Sequence, residues 1–155
     1  MVRWPLVCAV LMAAAPLVPA AESDKAAEAA EAYDSLFGQE MKRVKATRDF
    51  QDDLELADRM LAAANAAAGQ SEFLALLCEK VFELCGPHPE GYGRALYAMA
   101  LESSKVPAKT IPCGLKIAGI RQKQYEAAKG EARTKAGEAL IHAWLTVADA
   151  YADAG

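Results

Sequence analysis

Between Ser71 and Cys85 the apolar residues Leu74, Leu77, Cys78, Val81, Leu84 and Cys85 recur at steps of three, one, three, three and one. An α-helix with one apolar face brings such positions together, because about 3.6 residues complete each turn. Gly86 and Pro87 then stop the run. Glycine is favoured just past a helix C-terminus, and proline cannot continue a helix. A face this apolar must be covered by neighbouring helices, so the segment dictates a helical core around itself.

The rest of the chain offers those neighbours. Residues 23–46 predict a first helix, capped by Ser23 or Asp24, with Tyr33, Phe37, Met41 and Val44 on one face. Thr47 or Asp49 caps a second, whose stripe is Phe50, Leu54, Ala57, Leu61 and Ala64 and whose end is Gly69. The Ser71 helix is third. A fourth starts at His88 or Pro89, presents Tyr92, Ala95, Leu96 and Met99, and is broken at Pro107. Thr110 opens a fifth with Pro112 in its first turn. Gly114 and Gly119 weaken that helix by up to about 1 kcal/mol each relative to alanine, unless a neighbour packs closely there. Gly130 separates it from a last helix over 131–154. No segment shows the alternation of a strand. The prediction is all-α, about six helices, paired as antiparallel hairpins because the connections are short and stacked in series as a short solenoid. Much of the 54% apolar share is alanine, which buries little area per residue, so the predicted core is thin and helix-dense.

The first 20 residues read differently. Arg3 precedes an apolar run from Trp4 to Val18, and Val18-Pro19-Ala20 precedes the charged AESDK. This is the order of a secretory signal: basic end, apolar middle, small-residue cleavage site. Cleavage is expected after Ala20, giving an exported helical domain over 21–155, in the periplasm, the cell envelope or secreted. The alternative is an uncleaved N-terminal anchor, the one membrane association expected. Cys8 leaves with the signal, and the mature chain keeps Cys78, Cys85 and Cys113. Cys78 and Cys85 on one helix stand about 10.5 Å apart along its axis, too far for a disulfide. A bond from one of them to Cys113 stays open beside the reading as buried apolar side chains.

The stretch ELCGPHPEGYG holds the one run suggestive of chemistry, Cys85-Gly86-Pro87-His88. A thioredoxin-type site needs a second cysteine and a preceding strand; here a histidine and a helix stand in those places. A structural zinc site normally brings cysteine pairs two to four residues apart, unlike Cys78, Cys85, His88 and Cys113. No nucleophile frame or phosphate-cradling glycine loop is present. The acids Asp49, Asp52, Asp53, Glu55 and Asp58 suit the start of a helix through its dipole. The stretch therefore reads as a turn between helices, and no catalytic, cofactor or metal residues are expected. The rival is a small thiol- or metal-binding protein using those cysteines and His88.

Charge is uneven. Residues 21–104 hold eight basic and sixteen acidic side chains, whereas residues 105–135 hold eight basic against Glu126 and Glu131. With a formal net charge of −4, the chain is a poor partner for nucleic acid. The basic strip, with Lys116, Arg121 and Lys123, reads as a solvated face or a docking strip for an acidic surface.

The last helix carries the most specific pattern. AWLTVADAYADAG places Trp144, Val147, Ala148 and Tyr151 at the spacing W-x2-L-G-x2-Y, with Ala148 in place of the glycine and Gly155 at the usual turn. This segment resembles the first helix of a tetratricopeptide repeat. Ala95, Met99 and Pro107 resemble the second half of such a repeat. The resemblance implies a TPR-like α-solenoid and, with it, a protein-binding scaffold. On the same helix Leu140, Trp144, Val147 and Tyr151 form one apolar face, and Ile141, Leu145, Ala148 and Ala152 an adjacent one. Glu138, His142, Thr146, Asp149 and Asp153 leave only a narrow polar stripe. A helix so apolar expects covering on two sides: by a second subunit, a bound helix or the N-terminal helix folded back, or by further repeats if the chain is a fragment of a longer array. Trp144, Tyr151, Ile141 and Leu145 are therefore the expected partner contacts, self-association through this helix included. Tyr33, Tyr92, Tyr97 and Tyr125 are further candidate exposed aromatics.

Overall fold

The structure, a computed structural model, describes residues 20–67 and 69–155. The expected export signal lies outside the described residues apart from Ala20, which opens a helix; Ser23 and Asp24 thus fall inside the first helix rather than capping it. The described residues are all helical, without a strand. Helix α1 (Ala20–Tyr33) runs through a five-residue π-helical segment, Asp34–Gly38, into α2 (Gln39–Ala46). Then come α3 (Phe50–Ala66), α4 (Ser71–Cys85), α5 (Tyr92–Lys105), α6 (Thr110–Ala127) and α7 (Glu131–Ala154). Since α1 and α2 form one continuous rod, six helical units result, as the apolar periodicity predicts.

The local signals act as their chemistry requires. The Asp49 side chain accepts from the Gln51 N–H and caps α3. Gly86 caps α4, and Pro89 begins the 3-10 turn that leads into α5. Pro107 opens a second such turn before α6. Gly130 adopts φ +57°, a left-handed conformation that glycine alone enters without strain, and so reverses the chain into α7.

Helix α4 is the centre. It packs against α1, α3 and α5, and Phe73, Leu74, Leu77, Cys78, Val81, Leu84 and Cys85 are all buried. Tyr33, Met41 and Val44 of the first rod are buried in the same core, as their spacing predicts. The α3 face is wider than its predicted stripe: Leu56 and Met60 are fully buried beside Ala57, Leu61 and Ala64, while Phe50 and Leu54 are only partly covered. The reason is that α3 has neighbours on more than one side, touching α2, α4 and α5.

Side-chain pairs fix the direction of these helices. Asp58 of α3 meets Arg94 of α5, and further along Asn65 meets Tyr97, so α3 and α5 run the same way. Glu79 of α4 meets Lys116 of α6, and the Gly86 carbonyl meets Lys123, so α4 and α6 also run together. Lys45 of α2 reaches Glu83 of α4. The intervening helices return in the opposite sense: His88, just past α4, stacks on Phe50 at the start of α3, ring centroids 4.3 Å apart. From the first rod onward successive helical units are thus antiparallel, and the pairs that join alternate ones lie 32 to 38 residues apart.

Candidate interaction surface

The last hairpin is joined through small residues. Ala143 and Val147 are the buried residues of α7, and α6 meets them across Gly114. A Cβ at Gly114 would stand 2.8 Å from Val147 Cγ2, so the close approach that relieves this glycine's cost is real; Gly119 has open space. Because α7 seats itself on its alanine and valine side, its large apolar residues turn outward. Trp144 is 50% exposed, Tyr151 54%, Leu145 58% and Ile141 62%. This corrects one expectation. Trp144 and Tyr151 do not share a packed face with Val147; they lie one step round the helix from it. Trp144, Tyr151, Ile141 and Leu145 form instead one outward surface with Ala148 and Ala152, and no other helix covers it among the described residues.

The basic strip is engaged largely within the fold. Lys116 pairs with Glu79 and lies 5.1 Å from the Phe82 ring centroid. Lys123 donates to the Gly86 carbonyl at 3.4 Å and lies over Tyr92. Arg121 donates to Gln124 at 2.9 Å and lines a groove with His142 of α7 and Leu96 of α5. Arg133 stacks on Tyr125, and Lys135 pairs with Glu131. These cations bind α6 to α4 and steady the last hairpin, a use that charge counting could not separate from a docking strip. Of the candidate aromatics, Tyr97 is exposed and Tyr92 and Tyr125 are half-buried, but Tyr33 is buried and faces the core.

Cys78, Cys85 and Cys113 are free and buried. Burial pushes the thiols of Cys78 and Cys113 up to about 12 and that of Cys85 to about 11. Such thiols hold almost no thiolate at neutral pH, and nucleophilic thiol chemistry needs thiolate. His88 is exposed on the turn and stacks on Phe50. Among the described residues no three of His, Cys, Asp and Glu gather as metal ligands, so Cys78, Cys85, His88 and Cys113 are not brought together as a set. The turn itself is tight for another reason: a Cβ at Gly91 would collide with the Cys85 backbone, its Cα only 2.8 Å away.

One residue escaped the sequence reading. Glu102 of α5 is fully buried, and neither carboxyl oxygen has a hydrogen-bond partner. Lys109 stands 3.9 Å away, and the Cys113 thiol faces the carboxyl without a hydrogen bond of good geometry. Burial raises its pKa most, Glu79 raises it further, and Lys109 and Lys116 pull it back. The signal was there: Glu102 continues the Ala95, Met99 face at a step of three.

No protein-family model matches this chain, and no curated protein and no solved structure matches it at a significant level.

Proposed function

We propose that this chain is an exported, non-enzymatic helical-repeat protein of the tetratricopeptide-like type, acting as a scaffold for protein–protein interaction. The observation that carries the reading is the recurrent register: side-chain pairs 32 to 38 residues apart link α2 to α4, α3 to α5 and α4 to α6, each to the next helix of the same direction. Stacked hairpins of near-constant length repeat in this way, and such stacks present extended surfaces for other proteins. The outward row of Ile141, Trp144, Leu145 and Tyr151 supports binding, because exposed apolar patches of several large side chains commonly mark interaction sites. The signal-like first 20 residues support export.

Affinity capture from the organism's envelope fraction tests this. The wild-type chain should retain a partner in near-stoichiometric amount, and mass spectrometry of the chain recovered there should find its N-terminus at Ala21. Retention of nothing above background, together with a precursor left in the cytoplasm, would sink both parts.

A further inference from the structure

We propose that the outer face of α7 is the docking site for a basic amphipathic helix. This names the partner chemistry of the scaffold reading and rests on it. Ile141, Leu145, Ala148 and Ala152 lie at i, i+4, i+7 and i+11, so they form one line along α7. Trp144 and Tyr151 stand beside that line on one side. The surface runs about 17 Å, three turns, which is the span over which an amphipathic helix lays down its i, i+3, i+4 and i+7 anchors.

The other side of the line settles the charge. Glu138 is three residues before Ile141, Asp149 four after Leu145, and Asp153 four after Asp149, so three acids, with His142 and Thr146 among them, edge the apolar surface. All three are exposed, and none has an ion-pair partner among the described residues. Three acids elsewhere do bridge helices through a cation: Asp58 to Arg94, Glu79 to Lys116 and Glu83 to Lys45. An apolar line with an unmatched acidic edge complements a helix whose apolar face is bordered by Lys or Arg. A second copy complements it poorly. When two α7 helices pair antiparallel about a two-fold axis, like flank meets like flank, and the Glu138, Asp149, Asp153 row would face itself.

Titration calorimetry on the full chain tests the proposal. The probe is a synthetic helical peptide of about 18 residues with leucine at i, i+3, i+4 and i+7 and lysine on both flanks; its twin carries glutamate for every lysine. The lysine peptide should bind at least about tenfold more tightly than the twin. Ile141→Glu with Leu145→Glu should abolish that binding even though it adds negative charge, whereas mere attraction to an acidic protein would strengthen it. Glu138→Gln with Asp149→Asn, which leaves the apolar line intact, should erase the preference between the twins. Undiminished binding by I141E/L145E, equal binding of the twins to the wild type, or a sedimenting dimer that I141E/L145E converts to monomer would each overturn the proposal. An envelope partner captured equally by wild type and I141E/L145E would leave the scaffold reading standing and remove this one; capture of no partner would remove the scaffold reading itself.

Discussion

Val147 of α7 occupies the space that a side chain on Gly114 of α6 would need, its Cγ2 2.8 Å from the position of a Cβ there. Val147 is itself buried and β-branched, so it cannot swing away cheaply. Gly114→Ala gains up to about 1 kcal/mol of helix propensity and loses about 1–3 kcal/mol to overpacking, for a net destabilisation of about 1 kcal/mol. Gly119→Ala meets nothing within 4 Å and should stabilise by about 0.5–1 kcal/mol. Urea unfolding of the two variants should therefore move the midpoint in opposite directions, and Val147→Ala should relieve the Gly114→Ala clash.

Gly91 answers what the Cys-Gly-Pro-His stretch is for. Its Cα has no room for a substituent because the Cys85 backbone lies against it. Gly91→Ala should cost about 2–3 kcal/mol, since the new methyl would meet the carbonyl oxygen, Cα and Cβ of Cys85, none of which can rotate away. His88→Ser, on an exposed ring that only stacks on Phe50, should cost less than about 1 kcal/mol. Equal losses for the two in thermal unfolding would contradict a purely geometric turn.

Glu102 gives stability a pH dependence. Its folded pKa is raised above the ordinary value of 4.5, so its contribution is fully present below 4.5 and is lost as pH rises through the higher folded value. Glu102→Gln removes the titration. The variant should match the wild type at about pH 4.5 and be the more stable of the two at about pH 8, read from urea midpoints.

The three buried thiols should be silent in the folded protein. A short iodoacetamide pulse at neutral pH followed by peptide mapping should find Cys78, Cys85 and Cys113 unmodified, and all three modified in guanidinium. Rapid native labelling of Cys85 would revive the thiol reading of its motif.

Most helices were legible because each carries its own stop and start. Asp49, Gly86, Pro107 and Gly130 act locally, and the α4 stripe is buried on every residue named for it. What the sequence hid depends on neighbours. Leu56 and Met60 join the core because α3 is flanked on several sides, which a single-face pattern does not express. Trp144 and Tyr151 have helical spacing, but spacing does not say which of two adjacent apolar faces meets α6; the small side chains at Gly114, Ala143 and Val147 decide it. The pairing of Lys116 with Glu79 spans 37 residues, and local charge counts contain no such distance.

Nuclear Overhauser contacts on the isotope-labelled chain test most directly the claim that stacked hairpins leave α7 with a bare outer face. Cross-peaks are expected between Val147 methyls and Gly114, and between the Tyr97 ring and the Asn65 side chain, while the Ile141 and Leu145 methyls show none to α1–α6. Cross-peaks from Ile141 or Leu145 to any of those helices would contradict it.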